Sequence, residues 1–300
     1  MKTYQILVFS VLIILISGAT GCQTGSKEST SGPFVGGFTG LTAVFVEDAP
    51  PASGLFQGES FPIEIELTNT GETSVKAGDV KVNLVGTVTG GSFDLTTKSA
   101  SNEGEIYPID ISGGEGGYEV VSLGNAKYKP LLSASYSPNV IAQVCYPYRT
   151  KIQLDNFCIP SDDRNPVGKG ECETDSKTNL VKSGANSAGP VQVTSFTESK
   201  GVGYVKVRVD INNQGGGDVI NCGTNERDFV TVNLPQDVSC NFEGGKGSSG
   251  IAKLREGHAV LNCEKKTSNQ GLAYLDKFDM TLAYDYMQQI TKTVTINKAD

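Results

Sequence analysis

The chain has 300 residues, with 36 glycines, 7 cysteines, 1 histidine, no tryptophan and a net charge of −8. It is long enough for two domains of ordinary size. Its balance of 33 Asp+Glu against 25 Lys+Arg argues against nucleic-acid binding, which needs a basic footprint, and one histidine cannot build a multi-histidine metal centre.

Lys2 is followed by an apolar run from Ile6 to Ile16 and then by the small residues Ser17 to Gly21. The run is about half the roughly 20 residues a membrane-spanning helix needs, so residues 1–21 read as a secretory signal. Cys22 directly after Ala19-Thr20-Gly21 resembles the lipobox of prokaryotic lipoproteins, although the position of Ala19 is more often Leu. That resemblance implies a lipid on Cys22, an anchor in the membrane and a location on the outer face of the cytoplasmic membrane or cell surface. An ordinary signal peptide and an uncleaved signal anchor are the alternatives. Residues 22–39 begin with a Ser/Thr/Gly-rich stretch and read as a flexible tether.

Beyond the tether, a period of two dominates. Ile63, Ile65 and Leu67 alternate with Glu64 and Glu66. Val205, Val207, Val209 and Ile211 alternate with Lys206, Arg208 and Asp210. These patterns predict strands with one buried and one wet face. No later stretch sustains a helical period.

Two segments align with each other. Ile65-Glu-Leu-Thr-Asn69-Thr-Gly71 matches Val209-Asp-Ile-Asn-Asn213-Gln-Gly215, and Val80-Lys-Val-Asn-Leu84 matches Val230-Thr-Val-Asn-Leu234. The turn signature Asn69, Gly71, Asn213 and Gly215 is expected to serve a turn with positive φ. Tyr146-Pro-Tyr148 and Tyr284-Asp-Tyr286 form a second echo, each placed before a strand, with the rings in sheet packing. The fold class predicted is all-β, with two tandem immunoglobulin-like β-sandwich domains. Domain one is placed at residues 40–158 and domain two at 188–298. The polar stretch 159–187 between them reads as a linker.

The strand, Asn-x-Gly and Val-x-Val-x-Leu pattern, clearest in residues 61–84 and 203–234, resembles the CARDB-type Ig-like modules of archaeal and bacterial surface proteins. The segment Phe34 to Pro51, with Gly58 to Pro62, resembles uncharacterised archaeal surface proteins. These resemblances imply structural spacers or adhesion and binding units, and supply no catalytic residues. The six cysteines of the body depart from the cysteine-poor form of the CARDB family.

With Cys22 assigned to lipid, Cys145, Cys158, Cys172, Cys222, Cys240 and Cys263 remain. An even number in an exported chain predicts three bridges, drawn from 15 connectivities. Cys240 with Cys263, across a Gly-rich turn and a strand, is favoured first. Cys158 with Cys172 and Cys145 with Cys222 follow. Zinc and redox-dithiol readings lack a CxxC pair.

Other chemistry reads as bland. His258 sits at a strand start, and no Gly-x-Ser-x-Gly elbow accompanies it. Asp162, Asp163, Asn165, Glu171, Glu173 and Asp175 crowd the linker. Asp163-x-Asn165-x-x-Gly168 echoes a calcium loop, but Val167 and Thr174 stand where ligands belong, so a solvated loop is preferred. Gly113 to Gly117 and Gly244 to Ser248 do not fit a phosphate loop. Neither a cofactor nor a metal is predicted. The function expected is a non-enzymatic cell-surface lipoprotein that is structural, adhesive or binds an envelope partner. The alternatives are a solute-binding lipoprotein of a transporter and a secreted carboxylate-dependent hydrolase.

Overall fold

The computed structural model describes residues 32–161, 172–267 and 273–299. The expected signal segment, Cys22 and the linker residues Asp162, Asp163, Asn165 and Glu171 lie outside these residues. The chain is all-β. Among the described residues the single helical element is a 3-10 turn at Gly86–Thr89.

The first half supplies β1 (Leu41–Phe45), β2 (Leu55–Phe56), β3 (Ser60–Asn69), β4 (Lys81–Val85), β5 (Phe93–Leu95), β6 (Ser99–Ser101), β7 (Tyr118–Tyr128) and β8 (Asn139–Ile159). The second half supplies β9 (Val191–Lys200), β10 (Tyr204–Asn213), β11 (Asp218–Val219), β12 (Phe229–Asn233), β13 (Val238–Phe242), β14 (Gly245–Gly247), β15 (Ser249–Lys253), β16 (His258–Lys266), β17 (Tyr274–Thr293) and β18 (Ile296–Asn297).

These strands form two outer sheets and one central sheet. The outer sheets have the orders β1-β3-β7-β5 and β9-β10-β16-β13-β14. The central sheet runs β6-β4-β8-β17-β12-β15, with β11 added beside β17, and β2 pairs separately with β18. The halves therefore repeat one topology. Val82 of β4 faces Val144 of β8, as Val232 of β12 faces Leu282 of β17. Leu41 faces Asn69 as Val191 faces Asn213. The repeat predicted from two short segments thus extends through β1-β3-β7-β5 and β6-β4-β8, matched by β9-β10-β16-β13 and β15-β12-β17.

The halves meet through their longest strands. β8 has 21 residues and β17 has 20, where an ordinary strand has about 5–6. They pair antiparallel from Tyr274↔Ile159 to Thr293↔Asn139, with a bulge between Asp276 and Phe278. Asp285 faces Pro147, and a pseudo-two-fold axis passes between them. Each long strand serves both halves. The C-terminal part of β8 brings Phe157 against Phe196 and Phe278 of the second half. The C-terminal part of β17 brings Lys292 to the Val46 carbonyl of the first half at 3.2 Å.

Side-chain parity is what period two dictates. Ile63, Ile65 and Leu67 are buried, while Glu64 and Glu66 between them are half-buried. In β8, alternate residues from Val140 to Leu154 are buried on one face. Arg149 and Lys151 point to the open face and are exposed. Both outer sheets thus cover the same side of the central sheet, and a single buried cluster runs through both halves.

Three disulfides pin this frame: Cys145–Cys222, Cys158–Cys172 and Cys240–Cys263. They are the pairs favoured above. Cys145–Cys222 spans 77 residues of sequence and ties the loop after β11 to β8. Cys240 and Cys263 face each other across β13 and β16. Disulfides persist in oxidising, extracytoplasmic compartments, which is where this chain belongs. No helix among the described residues is long and apolar enough to cross a membrane.

One buried acid makes the fold pH-sensitive. Glu198 on β9 is only 3% exposed, and its carboxylate accepts the Cys158 N–H at 3.0 and 3.3 Å. Burial pushes its carboxyl up to about 7, and the Cys158 hydrogen bond only partly offsets this. The folded state therefore holds a proton that the unfolded chain releases. The resulting stabilisation is complete below pH about 4.5 and is lost as the pH rises through about 7. Glu198→Gln is expected to flatten this dependence and to be more stable than the parent at pH 8 by about 2–3 kcal/mol. Urea denaturation at pH 5 and pH 8 checks it. Parallel pH profiles for the two proteins would contradict it.

Candidate functional site: a trough over a square of tyrosines

The centre of the molecule is built by Tyr146, Tyr148, Tyr284 and Tyr286. They are not before a strand, as the sequence suggested, but in the middle of β8 and β17. Cross-strand pairing sets Tyr146 opposite Tyr286 and Tyr148 opposite Tyr284. The four ring centroids stand 5.9, 6.1, 6.2 and 6.4 Å apart around the square, tilted or edge-on, in the range where aromatic pairs attract.

Every hydroxyl is used. Tyr146 donates to the Leu41 carbonyl at 3.0 Å and accepts from Gln288 at 3.0 Å. Tyr148 donates to the Ala188 carbonyl at 3.1 Å and accepts the Thr73 N–H at 3.2 Å. The Tyr284 hydroxyl pairs with Thr150 Oγ1 at 2.8 Å and accepts the Val191 N–H at 3.2 Å. Tyr286 accepts the Gly217 N–H at 2.7 Å and donates to Asn213 Oδ1 at 3.4 Å. Burial raises all four phenols above the ordinary tyrosine range. They are neutral donors and acceptors, not acids or bases.

The turn signature sits against these hydroxyls. Asn69 Oδ1 accepts the Gly71 N–H at 3.1 Å, and its amide donates to the Thr73 carbonyl at 2.9 Å. Asn213 repeats both bonds, to the Gly215 N–H at 3.2 Å and the Gly217 carbonyl at 2.8 Å. The expected positive φ is absent at all four positions. Glycine is needed for a different reason. A Cβ on Gly71 would fall on the Tyr148 hydroxyl and 2.9 Å from the Thr39 carbonyl oxygen. A Cβ on Gly215 would fall on the Tyr286 hydroxyl and 2.6 Å from the Pro190 side chain.

On the opposite, open face of the same strands lies a trough of 1030 Å³. Its floor includes Pro147, Arg149 and Lys151 of β8 and Ala283 and Asp285 of β17. Its walls are the repeated loops, with Glu72, Lys76 and Asp79 on one side and Asn221 and Glu226 on the other. Two carboxylates are already engaged. Glu72 accepts the N–H groups of Val35, Gly36 and Ala188 at 3.0, 3.0 and 2.6 Å, which clamps the segments entering β1 and β9. Asp285 accepts the Cys222 N–H at 2.9 Å.

His258 begins β16 and is exposed, away from the trough. Gly113 to Gly117 form a loop that packs on the Asn69 turn, where Asn69 N–H donates to the Gly117 carbonyl at 2.9 Å. Asp175 closes a local turn through Lys177 and Thr178. Among the described residues no cluster of three or more His, Cys, Asp or Glu is arranged to hold a metal. Arg149 and Lys151 were not singled out from the sequence. The available signal was the contrast of Tyr148-Arg-Thr-Lys151 with Tyr286-Met-Gln-Gln289.

No protein-family model matches the chain, and no curated protein matches it. Among solved structures, one described as the triple jelly roll fold and turret assembly of an archaeal virus aligns over 88% of this chain and 85% of that chain. The identity is 10% and the TM-score 0.11. A TM-score of that size carries no argument about this chain.

Close approach to the tyrosines is testable. Gly71→Ala and Gly215→Ala are each expected to cost about 1–3 kcal/mol, the usual penalty for overpacking a filled site. Tyr148→Phe should recover part of the loss for Gly71→Ala and none of it for Gly215→Ala. A double-mutant cycle by chemical denaturation reads the coupling. Additive effects for Gly71 and Tyr148 would contradict the contact.

Proposed function

We propose that this chain is a non-enzymatic, exported lipoprotein that presents a partner-binding surface outside the membrane. In this reading Cys22 carries the lipid, and two Ig-like units at residues 40–158 and 188–298 form the body. The observation that carries the binding role is the open trough on the central sheet. It is large, carries charged side chains of both signs and faces away from the buried layer.

Three features support binding over catalysis. Two of the trough's four carboxylates, Glu72 and Asp285, are held by backbone N–H groups, so that pair is not free for the acid–base work hydrolysis needs. The buried tyrosines are locked neutral by desolvation. The lone histidine lies elsewhere on the surface. The three bridges fit an envelope location, and the net charge of −8 favours a body held off anionic headgroups by its tether.

Fractionation of cells producing the full chain tests the anchor. The parent is expected in the membrane fraction with a mass increment on Cys22, and Cys22→Ala in the soluble or secreted fraction. A soluble, unmodified parent would overturn the anchoring. Cross-linking on intact envelopes tests the binding role, which predicts a specific cross-linked partner.

A further inference from the structure

The internal repeat lets the halves be compared at the seam where each long strand passes the first strand of an outer sheet. In the second half, the seam between β8 and β9 is filled by residues 179–187 of the chain itself. The Ser187 N–H donates to the Lys151 carbonyl and the Lys151 N–H to Ser187 Oγ, each at 2.8 Å, and the Gln153 N–H donates to the Ala185 carbonyl at 2.9 Å. On the other side, the Asn186 amide donates to the Val193 carbonyl and accepts the Val193 N–H, both at 3.0 Å. The Leu180 N–H donates to the Phe196 carbonyl, and Asn179 Oδ1 accepts the Phe196 N–H, both at 2.9 Å. The inserted Ala185, Asn186 and Ser187 are buried, and so are Ile152 and Phe196 beside them.

The seam between β17 and β1 is the first half's counterpart. By register, Gln289 and Thr291 stand for Lys151 and Gln153, and Ala43 and Phe45 stand for Val193 and Phe196. The Val294 N–H donates to the Pro138 carbonyl at 3.0 Å, so alternation along the ladder turns the N–H and C=O of Gln289 and Thr291 away from β8. The Val46 N–H donates to the Glu64 carbonyl at 3.0 Å, which likewise turns those of Ala43 and Phe45 away from β3. Among the described residues, none of these four has a backbone partner on that side. The side chains of Gln288 and Lys292 reach the Leu41 and Val46 carbonyls and mark the two ends of a gap. Between them Ile290 and Phe45 are only half-buried, where their counterparts Ile152 and Phe196 are sealed.

The first half's own entering segment does not fill this gap. Gly36 precedes β1 as Asn186 precedes β9, so the carboxamide is missing. The N–H groups of Val35 and Gly36 are taken by Glu72, each at 3.0 Å, and the Phe34 N–H donates to the Gly184 carbonyl at 3.2 Å. That segment is therefore drawn to the second half. A second copy has its own residues 179–187 built into its own seam. The occupant must come from a different polypeptide, and the filled seam states its chemistry. It is an extended segment whose backbone pairs with Gln289 and Thr291 and whose asparagine clips the N–H and C=O of Ala43.

We propose that the gap between β1 and the C-terminal part of β17 is a strand-addition site that receives an extended, asparagine-bearing segment of a partner protein. The site is separate from the trough and does not rest on it. The test follows backbone hydrogen exchange of the full chain in detergent, read at single residues by mass spectrometry. The probe is a synthetic peptide of residues 177–188, the chain's own filling segment, at about 1 mM, where even weak binding registers. In the free chain the amides of Ala43, Phe45, Gln289 and Thr291 are expected to exchange about tenfold faster, or more, than those of Val193, Phe196, Lys151 and Gln153. The peptide should slow all four first-half amides by about tenfold, and an Asn186→Ala peptide should not. Ala43→Pro removes the clipped N–H at an edge position where proline is tolerated. It should keep the parent's thermal midpoint and lose the protection, and if it fails to fold the two peptides on the parent still decide. Slow exchange of the four amides in the free chain, whether from the tether or from a second copy, would overturn the proposal. So would protection by neither peptide, equal protection by both, or protection confined to the edge at β15.

Discussion

Two strands of about twenty residues, paired along their whole length, hold this molecule together. The β8–β17 ladder carries the four tyrosines at its midpoint and hands each half a strand that began in the other. A buried hydroxyl costs free energy unless it is bonded. All four hydroxyls are bonded here, to the backbone at the start of β1 and β9, to the loops after β3 and β10, and to Thr150 and Gln288. The rings therefore fix the ends of the outer sheets as well as the centre of the shared one. Displacing one ring would strand a carbonyl or an N–H several strands away.

Much of this was legible in the sequence, for local reasons. Ile63, Ile65 and Leu67 announce a half-buried strand because period two is a property of the backbone itself. Three bridges follow from an even count once Cys22 is set aside. What local patterns do not hold is register between distant segments. Tyr146-Pro-Tyr148 and Tyr284-Asp-Tyr286 were visible as an echo, but nothing in either segment says that it pairs with the other. The same gap explains the glycines. Gly71 and Gly215 looked like turn residues needing positive φ. Their actual constraint is the approach of a tyrosine hydroxyl from a strand far along the chain.

Duplication also shows which positions folding constrains. Positions that both halves must satisfy remain alike: the Asn-x-Gly turns, the buried valines and the paired tyrosines. Positions on the open face are free of that demand, and there the halves differ, with Arg149 and Lys151 against Met287 and Gln289. Outward charges on a strand normally signal only a solvated face, so neither residue drew notice without the repeat and the trough. The loops that flank the floor differ too. The second is longer and is pinned to β8 by Cys145–Cys222, which holds one wall of the trough in place.

The central claim is that the two halves are one folding unit because they share the β8–β17 ladder and one buried core. Differential scanning calorimetry of the oxidised chain tests it most directly. A shared core predicts a single endotherm whose calorimetric and van't Hoff enthalpies agree, which is the signature of all-or-none unfolding. Two separable endotherms, each with its own van't Hoff enthalpy, would show that the halves melt independently and would contradict the account.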